Sequence, residues 1–581
     1  YSNTTGGSNN AFGYYALRFN TTGGNNSAFG FQSLRNNTIG TNNSAFGKDA
    51  LKYNTIGISN SGFGYRSLYA NTTGVSNSAF GLYALRNNTI GTHNAAFGRA
   101  ALQSNLTGVN NSAFGHYALL NNTTGNSNVA VGWSALQANT IGYRNTAMGV
   151  SSLKSNTTGN LNSAFGYYAL NANTIGAANV AVGYMASRLN TVGDHNSSFG
   201  YFALYNNTVS NNSAFGYKTL RFNTTGADNS AFGFKAMQSN TIGTLNSAFG
   251  SYCLSSNTTG VRNAAFGRTA LASNTVGSYN CAFGYQALYT NTANNNSAFG
   301  YRALSLNTTG ISNAAFGRGA LQSNTIGASN SAFGYGALVN NTIGNNNTAV
   351  GQGSLASNTT ASNNSAFGYK SLHTNTTGSG NNAFGKSALL SNTTGGGNNA
   401  FGYQALYNNT IGQLNNAFGT NALFANTTGG SNSAFGYRSL FSNTSGVNNS
   451  AFGLYSLRNN IIGGANAAFG YSALKNNTTS GNNAFGYKAL FANTTGYRNA
   501  AFGFAALQNN TIGTNNAAFG YQTLQTNTTG SNNTAVGLNS LFSNTIGDKN
   551  SAFGSQALFA NTAGVQNSAF GYAALNSNTT G

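Results

Sequence analysis

The side chains that could run acid–base chemistry are few and far apart. The acids are Asp49, Asp194, Asp228 and Asp548, and there is no Glu. No two fall in the same stretch, so a pair of carboxylates working a few ångströms apart has no basis here. The histidines are His93, His116, His195 and His373, and only His195 has an acid beside it, Asp194, in what reads as a solvated turn. Cys253 and Cys281 stand where Ala and Ser are usual and read as small core substitutes. Two cysteines make no disulfide framework. No Cys/His cluster has metal-ligand spacing. No Asp recurs as calcium-binding nonapeptides require, and the one Gly-Lys-Ser, Gly385-Lys386-Ser387, lies within the repeat, where a phosphate loop has no helix to open. The expectation is a chain that is not an enzyme and carries no cofactor or metal.

What recurs instead is one repeat. Phe12, Phe29, Phe46, Phe63, Phe80 and onward to Phe570 mark 34 copies at a period of 17, three of them one residue short. With Phe12 as position 0, the unit reads Phe-Gly-Tyr-x-Ala-Leu-x-x-Asn-Thr-(Thr/Ile)-Gly-x-x-Asn-(Ser/Ala)-Ala. Val131, Met148, Val182, Val350 and Val536 replace the Phe, and Ser187 and Met237 replace the Leu. Gly at position 1 and Asn at positions 8 and 14 are invariant. The short copies lose their residue around positions 11 to 13, as in Asn207-Thr-Val-Ser-Asn-Asn. A deletion inside a paired strand would reverse every following side chain, so these positions form a corner.

The coil that must hold these residues is a β-coil. Seventeen residues are too few for two helices and a turn, and Asn-Thr-Thr-Gly breaks a helix. The expectation is an all-β, parallel β-solenoid over residues 1–581, a single uninterrupted array of 34 coils and a fragment of a longer fibre protein. Strands are expected at Ser-Ala-Phe-Gly-Tyr, with a shorter piece near Asn-Thr-(Thr/Ile). Rungs about 4.8 Å apart would give a rod of ~160 Å. Phe12, Phe29 and Phe46 and Leu17, Leu34 and Leu51 are expected as structural core columns. Asn20, Asn37 and Asn54, and Asn26, Asn43 and Asn60, are expected as hydrogen-bonded amide ladders that also take the left-handed backbone of the corners. One Phe and one Leu per coil is a thin core, so self-association as a homotrimer or filament is expected to bury a further face.

Composition agrees with a folded chain. Only 5% of residues are charged, Pro is absent, and 40 Phe and 31 Tyr can bury surface. No apolar run is long enough for a transmembrane helix. The balance of 25 Lys+Arg against 4 acids gives +21, which invites polyanions. The cations lie at variable positions: Arg18, Arg35 and Lys52 at 6, Lys48 and Arg99 at 2, Arg66 at 3. Fewer than one per coil is too sparse for specific nucleic-acid binding, so anionic glycans or a cell-envelope surface are the expected partners. Sequons such as Asn20-Thr-Thr and Asn25-Asn-Ser follow from composition.

The motif Asn-Ser-Ala-Phe-Gly-Tyr-x-Ala-Leu resembles the head repeats of YadA-like trimeric autotransporter adhesins, and arrays in bacterial and phage tail-fibre-like proteins. Asn128-Val-Ala-Val-Gly-Trp and Asn179-Val-Ala-Val-Gly-Tyr are the closest local matches. That resemblance implies a left-handed parallel β-roll assembled as a trimer at a cell or virion surface. A triangular β-helix, with positions 0, 5, 10 and 15 facing inward, is the rival coil. The expected function is a non-catalytic extracellular fibre or adhesin shaft touching its target through repeated weak contacts along positions 3, 6 and 7. The alternatives are an ice-binding surface built on the Thr21, Thr38, Thr55 column, or a virus or phage fibre.

Overall fold

The structure, a computed structural model describing residues 2–581, contains 34 three-residue strands and no helix among those residues. It divides into two units, one ending at Thr292 and one beginning at Ala293. The first runs from β1 (Asn10–Phe12) to β17 (Cys281–Phe283) and the second from β18 (Ser297–Phe299) to β34 (Ser568–Phe570). Within each unit every strand pairs in parallel with the next copy, like residue on like. In the first, β2 (Ser27–Phe29) lies on β3 (Ser44–Phe46) with Ala28 opposite Ala45. In the second, β26 (Ser433–Phe435) lies on β27 (Ser450–Phe452) with Ala434 opposite Ala451. The fold is a parallel β-solenoid of about 17 residues per turn.

The strands are shorter than expected, and the Asn-Thr stretch is not one. Inter-rung backbone bonds nevertheless continue around the coil. Leu17 N donates to Ser33 O (3.1 Å), Phe19 N to Arg35 O (3.0 Å), Thr21 N to Thr38 O (2.8 Å) and Ser27 N to Asn43 O (2.8 Å), while Gly30 N reaches back to Phe12 O (2.8 Å). The backbone is paired at the corners as well as in the sheet, which is what a coil with so little interior requires.

The interior holds columns 4, 5, 8, 11, 14 and 16. Leu34 and Leu51 are fully buried, and Leu17, in the first coils, is nearly so. Ala28 and Ala45 at column 16 are also fully buried. The Phe column is a correction: Phe12 is 74 % exposed, Phe29 38 % exposed, and Phe46 half-buried. Side chains alternate across a strand, so once the Ala of Ser-Ala-Phe points inward, Ser and Phe must point out. The lumen has room for an Ala there, not a ring. The triangular scheme fails with it, because columns 0 and 15 face outward and column 10 is exposed, as at Ile39 (52 %).

The left-handed backbone also sits elsewhere than expected. It falls at columns 3, 5 and 13, as at Gln32 (φ 56°), Leu34 (φ 47°) and Asn25 (φ 57°), and at none of the ladder asparagines. A Leu in this region is costly. The turn nevertheless drives its side chain into the lumen, where burial is worth about 2 kcal/mol or more. Gly at column 1 is required twice over. Gly47 has φ +132°, and a Cβ there would stand 2.7 Å from the carbonyl oxygen of Gly64 in the next rung.

The shortened copies confirm where slack exists. Across the deletion before β13 (Ser213–Phe215), register with β12 (Ser197–Phe199) is kept, Phe199 opposite Phe215. The corner closes differently, with the carbonyl of Val209 taking the amide of Asn196 (2.8 Å).

Candidate functional site

Both Asn columns form buried ladders. In column 8, Asn37 Nδ2 donates to Asn20 Oδ1 (2.7 Å) and Asn54 Nδ2 to Asn37 Oδ1 (2.8 Å). In column 14, Asn26 Oδ1 accepts from Asn43 N (3.0 Å) and Nδ2 (3.2 Å), and Asn60 repeats the pattern on Asn43. The two ladders meet on the column 11 carbonyl: Gly40 O accepts from Asn37 Nδ2 (2.9 Å) and from Asn26 Nδ2 of the preceding rung (2.8 Å). Their polar groups are largely spent on one another and on the column 11 carbonyls, so the ladders hold rung to rung; the column 8 ladder is interrupted at the shortened copy before β13, where Asn207 Nδ2 turns to Val209 O (2.6 Å).

Several of the groups with catalytic chemistry are held by neighbours, while Asp228, His93 and His195 are exposed on separate rungs. Asp49 lies 3.3 Å from Lys52 and 3.6 Å from Arg66. Asp194 and Asp548 each accept a backbone N–H of the preceding rung, from Ala177 and Ser531, at 2.6 Å. His116 Nδ1 accepts from Trp133 Nε1 (3.1 Å) and His373 Nδ1 donates to Gly353 O (2.7 Å). Cys253 Sγ donates to Ala265 O (3.0 Å), and burial pushes its thiol up to about 12. No group of three His, Cys, Asp or Glu could hold a metal among the described residues. No helix there is long and apolar enough to cross a membrane.

What remains is an edge formed by columns 2, 3 and 6. It carries 21 of the 25 cations in the sequence, the other four (Arg144, Arg262, Arg498, Lys549) lying at column 13. Aromatic rings interleave with them. Tyr167, Tyr184, Tyr201 and Tyr217 stack along column 2 with centroids 5.1–5.4 Å apart. Arg18 Cζ sits 4.4 Å from the Tyr15 centroid, and Arg221 lies 4.9 Å from both Phe202 and Phe222. Each such contact is worth about 0.5–1 kcal/mol when exposed and holds the guanidinium against its ring. A hydrogen bond with Lys218 lowers the Tyr217 hydroxyl pKa, whereas the bond to Tyr53 pushes that of Tyr69 up to about 12.

In the second unit the edge deepens. Gly319 and Gly336 occupy column 3 in successive rungs, and a Cβ on Gly336 would meet nothing. The result is a cavity of about 340 Å³ lined by Tyr301, Arg302, Arg318, Gln322, Tyr335 and Val339. Arg318 stands 5.6 Å from Tyr301 and 5.8 Å from Tyr335. Positions 3 and 6 were legible as contact columns. Column 2 was missed, although its Tyr, Phe, Trp, Lys and Arg content was the available signal. Column 7 contributes no cation.

No protein-family model and no curated protein matches the sequence.

Proposed function

We propose that the chain is a non-catalytic structural fibre or adhesin shaft, displayed outside the cell or on a virion, that grips anionic glycans through the edge at columns 2, 3 and 6. The observation that carries this reading is the sorting of 21 of 25 cations onto the aromatic-lined edge formed by columns 2, 3 and 6 in each unit, in 19 of the 34 coils. Aromatic faces take sugar rings and cations take carboxylates or sulfates. Single contacts are weak, and repetition raises the avidity. The test is retention on an immobilised polyuronate against neutral dextran. Retention of the full chain on the polyuronate alone, lost as salt rises, is the expected result. Equal retention on both matrices, or on neither, overturns the reading.

Ice binding is a second reading, with one observation in its favour. Column 10 is a half-exposed row, Thr, Ile or Val in all copies but three (Ala293, Ser445, Ala563), as at Ile39 and Ile56. The Thr column first considered is engaged, since Thr21 Oγ1 donates to Thr38 O (3.0 Å) and Thr38 Oγ1 to Thr55 O (3.1 Å). Freezing-point depression no greater than the colligative value removes this reading.

A further inference from the structure

The strand face made by columns 15 and 0 carries no charged residue in any copy. Its Phe rings form continuous stacks: Phe199, Phe215, Phe232, Phe249 and Phe266 follow at 4.5–4.7 Å with planes within 10°. These rings are not covered by the chain itself, and Phe29, Phe114, Phe333 and Phe519 keep 38–40 % of their surface exposed. Beside the ridge of rings, two residues back on the same strand face, runs a furrow at column 15, lined by Ser, Ala or Cys in most copies and by Asn in five.

The two columns change together. Wherever Phe is replaced, column 15 turns β-branched: Val129 with Val131, Thr146 with Met148, Val180 with Val182, Thr348 with Val350, Thr534 with Val536. Every copy that keeps its Phe has Ser, Ala, Asn or Cys at column 15. The coupling is one of shape rather than volume, since Asn382, Asn399, Asn416 and Asn483 stand beside retained Phe, and matched side-chain shapes are a property of packed surfaces. Columns 15 and 0 are also neighbours on one strand face, so the coupling arises within the strand or across a packed face, and only the first would show in the stability of a lone chain.

We infer that the column 15 and column 0 face is packed in the working protein against the same face of a second copy, parallel and in rung register, so that each Phe fills the furrow over its partner's column 15. The inference deepens the fibre reading and rests on it only in taking a second copy as the neighbour. Pitch argues for that neighbour, because only an array with the same rung spacing can match this ridge and furrow rung by rung. Charge argues for it too, since copies of a +21 chain must meet on a neutral face. About a third of a ~200 Å² ring per rung gives about 800 Å² per copy over a dozen rungs, the size of a stable interface. Register follows from the coupling. Compensation within one rung works across an interface only if rung faces equivalent rung, which requires a symmetry axis running along the solenoid.

The test uses the full chain carrying Ser213→Thr, Ser230→Thr and Ser247→Thr, three threonines beside retained Phe. Sedimentation over a range of concentrations should show the wild type associating and the variant associating at least tenfold more weakly. Circular dichroism of the diluted monomer should melt unchanged. Adding Phe215→Val, Phe232→Val and Phe249→Val, which recreates the Thr-Ala-Val of Thr348–Val350, should restore association. The same three valines at Phe46, Phe63 and Phe80 should not. A wild type that stays monomeric at every concentration overturns the proposal. So does a threonine variant whose monomer melts lower and is repaired by the same-rung valines, for the coupling is then internal. Rescue by the distant valines overturns the parallel register. Polyuronate retention of the dissociated variant reads the glycan edge separately, so the two proposals fail independently.

Discussion

At the residue scale the asparagine amides carry the greatest load, because each has all its donors and acceptors inside the coil. Asn54 donates to Asn37 Oδ1 and to Gly57 O, and its own Oδ1 accepts from Asn71 (2.8 Å). In Asn54→Leu those partners are stranded away from water, at about 1–3 kcal/mol each. We expect hydrogen exchange to quicken by at least a hundredfold in that rung and its two neighbours, and to stay unchanged ten rungs away. The cysteines give a second prediction. Cys253 is buried with a raised pKa, and Cys281 is half-buried. A thiol reagent at pH 8 should modify Cys281 and leave Cys253 until the chain is unfolded. Burial lifts the Cys253 pKa from 9.0 in a free thiol to about 12, so the folded state holds the proton longer than the unfolded one. Its contribution to stability is therefore complete below pH 9 and falls as the pH rises from there towards 12.

At the scale of the element, one coil tolerates change at its corners and none at its strand. Removing Thr244, at column 12, repeats what the short copies already do, and the variant should resist proteolysis as the parent does. Removing Ala248, inside β15 (Ser247–Phe249), drives Phe249 towards the lumen and should open that coil to protease. This contrast was legible in the sequence, as were the period, the parallel rungs and the two Asn ladders, because each leaves an invariant residue or a length change at one column. The orientation of the strand is not legible in the same way. The largest apolar residue of the repeat suggests the core, whereas the near-invariant Ala28, Ala45 column faces inward and its alternation sends Phe29 and Phe46 out. The left-handed turns at Gln32 and Leu34 left little mark, since column 3 holds glycine only at Gly319, Gly336 and Gly353, column 5 holds none, and the cost is met by burying the Leu. The cation–aromatic edge was half legible: its columns vary in sequence, and only the coil's path places 2, 3 and 6 side by side.

For the whole molecule, stability is a sum over neighbours, since each rung touches only the next. Gly47→Ala in the first unit and Gly436→Ala in the second meet the same obstacle, a carbonyl oxygen of the following rung at 2.7 Å, from φ +132° in both. Each should cost about 3 kcal/mol. The double variant should show the two losses adding within ~0.5 kcal/mol, measured by exchange in each unit. A coupling larger than that would mean the units open together.

The amide ladders also bear on how such a protein ages. Asparagine is the side chain that decays unaided: the next backbone nitrogen attacks the amide, ammonia leaves, and an aspartate stands in its place. In either ladder that change would delete a donor and insert a charge into a sealed column. The attack is fastest when glycine follows, and in a chain with 77 glycines not one asparagine precedes a glycine. The nitrogens that would have to attack are also tied down, Thr21 N by Thr38 O and Ser27 N by Asn43 O, both at 2.8 Å. The same rung-to-rung bonds that shape the coil thus slow its chemical clock, which suits a material made once and left in place.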